Sequence, residues 1–188
     1  SGSNPYYMIV VFVENKDHAD GLSMQEYDML RNMVSGVFSS ALDQYGHCTY
    51  FEVGLRRMLF MVSRENEEEQ QEQRILEAVE KAKNSVQRLS QVRAFAIVSH
   101  CLRDGGSECV RCFVRMNDSL KTRHLLGCEE TVIFEDKEEN IPEVGIETII
   151  NCLKLRDKAG YMEAVEELLA GCEQMPYGQF AARLELVA

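Results

Sequence analysis

Apolar residues along this chain form continuous runs of β-branched and aromatic character, and stretches of helical period separate the runs. Such runs, bounded by polar or glycine-containing segments, are typical of strands. Only Gly54-Leu-Arg-Arg57 separates the second run from the third, which predicts an antiparallel hairpin. The first run indicates a central strand buried on both faces. The five predicted strands cover residues 6–13, 47–53, 58–63, 92–99 and 131–134, the last at a sheet edge.

Three amphipathic helices are predicted between these strands. Ser23 and Glu26 form a capping box that begins the first helix, and Gly46 ends it. The second helix begins near Asn66 and the third near Ser107. The expected apolar faces are Tyr27, Leu30, Met33, Val34, Val37, Phe38, Ala41 and Tyr45 in the first helix, Ile75, Leu76, Val79, Ala82, Val86 and Leu89 in the second, and Val110, Phe113, Val114, Leu120 and Leu125 in the third.

The resulting order β-α-β-β-α-β, with an extra helix and strand, predicts an α+β fold of the ferredoxin-like type. Its helices are expected on one face of a mostly antiparallel sheet. A charged linker at residues 136–140 follows, and Pro142 and Pro176 each open a C-terminal helix. Gly171 ends the helix between them. We expect residues 1–5 to be vector-derived, residues 6–136 to form the α+β domain, and residues 141–188 to form a helical extension. Its apolar positions are Ile146, Ile149, Ile150, Leu153, Leu155, Tyr161, Val165, Leu168 and Leu169.

The charge, the apolar runs and the cysteines of the chain each limit the functions that it can have. The net charge of −11 argues against nucleic-acid binding by this chain's own field, because duplex binding needs Lys and Arg to neutralise phosphates. No apolar run approaches the roughly 20 residues needed to span a bilayer, so no membrane contact is expected. Seven scattered cysteines in a chain of this length favour free thiols in a reducing cytoplasm.

The sharpest local motif is Cys109-x-x-Cys112. On a helix, this spacing places both thiols on one face. With His100 and Cys101 nearby in sequence, the motif could hold zinc, or the two thiols could form a redox pair. The alternative is that both sulfurs pack as small buried apolar groups, and we favour it because no second C-x-x-C follows. No cofactor, metal or catalytic residue is therefore assigned.

Three arginines are candidates for contact with an anionic ligand or an acidic partner. Arg56 and Arg57 lie on the predicted hairpin, and Arg103 lies beyond the fourth strand. The Gly105-Gly106 loop ahead of the third helix could bind an anion on free N–H groups, but ordinary turn chemistry also explains it.

The order of elements resembles the nucleotide-cyclase fold, which includes the GGDEF (diguanylate cyclase) domains. In that family, metal-binding acids lie at the end of the first strand and on the hairpin turn. Here the turn reads Glu52-Val-Gly-Leu-Arg56, and Glu14 is the only acid where the first strand ends. Two divalent cations need more carboxylate than this, so the resemblance implies a catalytically inactive copy. Glu14 and Glu52 stay candidates for ligand or partner contact.

A narrower resemblance is to the degenerate GGDEF-like central domain of bacterial AraC-type response regulators. Residues 127–136 (GCEETVIFED) are similar to its motif after the last helix, and residues 108–116 (ECVRCFVRM) loosely match the motif before it. This resemblance implies a cytoplasmic, non-enzymatic module for two-component signalling and transcription regulation. It would relay phosphorylation, a membrane sensor or an unknown small ligand, as a homodimer, to a helix-turn-helix DNA-binding domain outside this chain. The alternative is a divergent nucleotide cyclase, or a zinc or thiol protein that uses Cys109 and Cys112.

Overall fold

The structure is a computed structural model that describes residues 4–15, 22–54, 56–64, 70–90, 92–103, 106–135, 146–169, 172 and 175–185. The strands are β1 (Tyr6–Asn15), β2 (Cys48–Gly54), β3 (Arg57–Ser63), β4 (Val92–Val98) and β5 (Val132–Ile133). The helices are α1 (Met24–Leu42), α2 (Gln71–Ser90), α3 (Ser107–Leu126), α4 (Ile146–Leu155), α5 (Lys158–Leu169) and α6 (Tyr177–Glu185). The predicted order of elements is confirmed.

The strands form one mixed sheet in the order β2-β3-β1-β4-β5. The central strand β1 pairs antiparallel with both β3 and β4, and the predicted hairpin β2–β3 is antiparallel. The short strand β5 pairs parallel with β4 and lies at the sheet edge, as predicted. The α+β class is therefore confirmed.

Both faces of the sheet are covered, because side chains of β1 alternate between two cores. Tyr7, Ile9, Val11 and Val13 pack with residues of α1 and α2 on one face. Tyr6, Met8 and Val10, with the partly buried Phe12, pack with residues of α3 on the other face. Helices α1 and α2 share one face as expected, and the third helix covers the opposite one.

The capping box that begins α1 is present: Glu26 N–H donates to Ser23 Oγ, and Ser23 N–H donates to Glu26 Oε2 at 2.8 Å. The helix ends at Leu42, before the predicted stop, and a 3-10 turn (Asp43–Tyr45) leads to Gly46. Gly46 has φ +153°, and a Cβ there would lie 1.8 Å from the carbonyl oxygen of Ser63. Glycine is therefore required where the chain turns into β2.

The predicted apolar faces of α2 and α3 are wrong in part. Leu89 on α2 is exposed, and so are Val110, Val114 and Leu125 on α3. The sheet-facing side of α3 combines Met116 and Leu120 with Ser119, Thr122 and Arg123, all buried. Two of these polar residues bond locally: Arg123 Nη2 donates to the Glu130 carbonyl at 2.6 Å, and Thr122 Oγ1 donates to the Asp118 carbonyl at 3.4 Å. Ser119 Oγ and Arg123 Nε are buried without a partner among the described residues.

A buried lysine joins α2 to the segment before β5. Lys83 Nζ donates to Glu80 Oε1 at 2.8 Å, to Thr131 Oγ1 at 3.1 Å and to the Glu129 carbonyl. Burial raises the pKa of Glu80, but hydrogen bonds from Lys83 and Thr131 outweigh it and leave that pKa below its ordinary value. A buried charge is tolerated here because each of its donors is used.

The C-terminal helices pack in two groups. Helices α4 and α5 pack on each other through Ile149 and Ala164, and α6 packs on α3. Pro176 precedes α6 as predicted, whereas Pro142, residues 136–140 and Gly171 lie outside the described residues.

The predicted apolar face of α4 is wrong at Ile150, Leu153 and Leu155, which are exposed. Its buried contact with α5 runs through Ile149 instead. In the described part of the chain, no helix is both long enough and apolar enough to cross a membrane.

Candidate ligand-binding site

The two acids at the hairpin end of the sheet point to opposite faces. Glu52 is the cross-strand partner of Met58, whose side chain lies in the core beneath α1 and α2. Glu14 follows Phe12 by two residues on β1 and contacts His124 of α3, on the other face. The two carboxylates therefore cannot ligate the same metal ion from one side of the sheet.

Glu14 lies in a network of ions between β1, β4 and α3. Its Oε2 accepts a hydrogen bond from Arg93 Nη2, and its Oε1 lies 3.0 Å from His124 Nε2. Arg93 Nη1 also contacts Glu129 Oε1 at 2.9 Å. Partial burial raises the pKa of Glu14, but the bonds to His124 and Arg93 outweigh it, so the net pKa lies below its ordinary value. Glu14 is held as a paired carboxylate.

Glu52 is neutralised from α1. Arg31 Nη1 donates to both carboxylate oxygens of Glu52 at 2.9 Å, and Arg31 Nη2 contacts Asp28 at 2.8 Å. On the same side, Arg56 Nε donates to the Tyr27 hydroxyl at 2.9 Å, and its guanidinium lies 5.9 Å from that ring centroid. These contacts tie the tip of the hairpin to the first turns of α1.

Arg57 faces away from Arg56. It is the cross-strand partner of Phe12, and its guanidinium lies 6.0 Å from the Phe12 ring centroid, on the α3 face. From the sequence, both arginines were predicted to contact the same anionic ligand or acidic partner. The structure places them on opposite sides of the sheet, because consecutive residues of an extended chain alternate.

Arg57 and Phe12 open onto a pocket between the sheet, α3 and α6, with a volume of about 210 Å³. Its walls are largely apolar and aromatic, and three basic side chains line it. The lining residues are Phe12, Arg57, Asn117, Leu120, Lys121, His124, Leu125 and Tyr177. A concave apolar pocket with a few polar groups is the usual form of a small-molecule site.

The polar groups of this pocket differ in their bonding. Lys121 Nζ contacts Asp118 Oδ1 at 2.8 Å and lies 5.9 Å from the Tyr177 ring centroid. His124 is held by Glu14. The Oδ1 atom of Asn117 is buried and has no hydrogen-bond partner among the described residues. Other buried atoms of the described residues, among them Ser119 Oγ and Arg123 Nε, share this state, so it does not distinguish the pocket.

The thiol and histidine candidates are not assembled into one site. Cys101 packs against the core beneath α1 and α2, whereas Cys109 and Cys112 pack against the core beneath α3. Cys112 Sγ lies 3.5 Å from Met116 Sδ, and His100 Nδ1 lies 2.8 Å from Glu72 Oε1. Among the residues described, no three His, Cys, Asp or Glu side chains are grouped to hold a metal ion.

The remaining candidates lie apart from the pocket lining. Arg103 is exposed next to Leu102, which forms a β-bridge with Tyr6. Gly106 precedes α3 and contributes no side-chain cap, and Gly105 lies outside the described residues.

Most pocket residues were missed because they come from distant parts of the sequence. A partial signal exists on α3, where Asn117, Lys121 and His124 recur at helical spacing and so share one face. Nothing in the sequence pairs that face with Phe12, because this contact depends on which face of the sheet α3 covers.

A scan against protein-family models gives no match to this chain, and a search of curated proteins finds no significant relative.

Proposed function

We propose that this chain is a non-catalytic signalling module with a ferredoxin-like, nucleotide-cyclase-like core, of the kind found in the centre of bacterial AraC-type response regulators. It works in the cytoplasm and relays an input to a helix-turn-helix DNA-binding domain outside this chain. The input is phosphorylation, a membrane sensor or a small ligand.

The observation that carries the non-catalytic assignment is the state of the two acids at the hairpin end. Glu14 and Glu52 lie on opposite faces of the sheet, and each is held by basic partners. Cyclase chemistry of the two-metal type needs carboxylates that converge on the metal ions bound to a triphosphate. An arrangement in which the acids diverge and are already neutralised favours a module without that chemistry.

The topology supports the fold part of the proposal. The strand order β2-β3-β1-β4, with α1 and α2 on one face, agrees with the split βαβ pattern of ferredoxin-like domains. β5 and α3 are additions at the edge and on the second face.

The test of inactivity is incubation of the purified protein with GTP or ATP and with Mg²⁺ or Mn²⁺, followed by chromatography of the nucleotides. An active diguanylate cyclase under the same conditions is the positive control. We expect no cyclic product from this chain, and enzyme-dependent formation of a cyclic nucleotide would overturn the assignment.

The relay part of the proposal includes a homodimer. Exposed apolar side chains on α4 and α5 (Ile150, Leu153, Leu155 and Met162) offer a surface for a second copy. Multi-angle light scattering across a concentration series tests this, and a monomer at the highest concentration contradicts it. The gene sequence after codon 188 tests the link to DNA, since we expect a helix-turn-helix pair there.

A further inference from the structure

We propose that the pocket between the sheet, α3 and α6 binds a small aromatic carboxylate. The binding itself stands on the geometry of the pocket. The idea that such a ligand is the input signal rests on the proposed function.

The volume of the pocket sets the size of the ligand. At about 210 Å³, it exceeds the roughly 150 Å³ cavity that accommodates benzene and lies below the range of about 300–1,000 Å³ typical of drug-sized ligands. A single ring with one or two substituents fits these limits, and a dinucleotide does not.

The walls favour a ring. The Phe12 and His124 rings lie 4.6 Å apart between centroids, at a 60° angle, and Tyr177 adds a third ring from α6. Leu120 and Leu125 supply the aliphatic part of the lining. Aromatic side chains arranged in this way favour offset or edge contacts with a bound aromatic ring.

The charge of Arg57 favours a carboxylate. Lys121 and His124 are already in contact with Asp118 and Glu14, but Arg57 has no carboxylate partner in the described part of the chain. A guanidinium can bind a carboxylate through two parallel hydrogen bonds. The chain's charge of −11 does not prevent this, because charges farther away than about 8 Å are largely screened at physiological salt.

The experiment uses the whole chain and a matched set of probes: benzoate, the three ring isomers of hydroxybenzoate, and phenol as the probe without a carboxylate. Binding is measured by isothermal titration calorimetry and ligand-observed NMR. We expect at least one of the four acids to bind with Kd below about 1 mM, and phenol to bind at least about ten-fold more weakly.

Two variants locate the site. Arg57→Met keeps a long side chain over Phe12 but removes the charge, and we expect it to weaken binding of the acid at least about ten-fold while leaving phenol unchanged. The control is Arg88→Met, the same change on the exposed surface of α2. If Arg57→Met does not fold, as judged by circular dichroism, Tyr177→Ala at the exposed rim replaces it, and it should weaken every aromatic probe.

The outcomes separate this inference from the proposed function. Absence of binding by benzoate and by all three hydroxybenzoates, or binding that neither pocket variant weakens, overturns the site and leaves the proposed function standing. Binding that is weakened by Arg57→Met and also slows hydrogen exchange in α6 supports both. Binding that leaves exchange in α6 unchanged confirms the site and counts against its use as a signal input.

Discussion

Replacement of Glu14 by Gln tests whether this acid is held as a structural ion. The substitution keeps the shape of the side chain and removes its charge, so Arg93 and His124 lose their contact with a carboxylate. Arg93 keeps its contact with Glu129 at 2.9 Å, which limits the loss.

The expected cost follows from the geometry. Hydrogen bonds to charged groups contribute about 1.5–3 kcal/mol, whereas exposed ion pairs contribute about 0–1 kcal/mol. The Glu14 and Arg93 side chains are each 26% exposed, which places the network between these limits. We therefore expect Glu14→Gln to lower the free energy of unfolding by about 1–2 kcal/mol at pH 7. With an m-value of about 2 kcal/mol/M, the urea midpoint falls by about 0.5–1 M.

The pH dependence has a definite sign. Because the pKa of Glu14 in the folded protein lies below its ordinary value of 4.5, the stabilisation is fully present above about pH 4.5. It is lost as the pH falls through the lowered pKa. The difference in stability between the wild type and Glu14→Gln should thus be present at pH 6 and shrink below about pH 4.5.

The assay is urea unfolding followed by circular dichroism from pH 6 downwards, with Glu52→Gln as the matched control. Glu52 pairs with Arg31 at a more exposed position, so its substitution should have the smaller effect. A loss in Glu14→Gln no larger than in Glu52→Gln, or a loss that does not change with pH, would refute this account of the network.

Three further predictions test the fold. Gly46→Ala should destabilise the protein by about 3 kcal/mol or more, because the new Cβ would lie 1.8 Å from the Ser63 carbonyl oxygen. As a control, Gly36→Ala in the open middle of α1 should stabilise the protein by about 0.5–1 kcal/mol. Chemical denaturation of both variants measures these changes. Lys83→Met should lower the free energy of unfolding by about 1–3 kcal/mol in the same assay, because it leaves buried oxygens without their donor. Burial raises the pKa of the Cys48 thiol to about 11, so iodoacetamide at pH 8 should label it about ten-fold or more slowly in the folded than in the denatured protein, and equal rates by peptide mass spectrometry would contradict this.

The sheet could be predicted because its main signals lie within short stretches of the sequence. Residues of β1 are apolar on both faces, and the few residues between β2 and β3 leave antiparallel pairing as the simple connection. The start of α1 was predicted because its capping box lies within four consecutive residues, 23–26. These features depend on contacts between near neighbours, which a single sequence records.

The buried face of α3 could not be found in the same way. The spacing of apolar residues indicates which side of a helix should be buried. In α3, however, Val110 and Val114 are exposed, whereas Thr122 and Arg123 are buried. Arg123 can be buried because its guanidinium donates to a carbonyl of the segment before β5, a contact that sequence period does not encode. The contact of Glu14 with His124 was missed likewise, since it joins residues 110 positions apart.

Arg56 and Arg57 are neighbours in sequence but lie on opposite sides of the sheet, so we expect their substitutions to have different effects. Arg56 bonds to Tyr27 and holds the hairpin against α1, whereas Arg57 lies over Phe12 at the pocket. Arg56→Met should therefore lower stability and leave binding of the acid intact, while Arg57→Met should weaken binding with little change in stability. Calorimetric titration and urea unfolding of both variants decide the matter. If both variants lose binding equally, the two arginines act at one site, and their placement on opposite sides of the sheet is wrong.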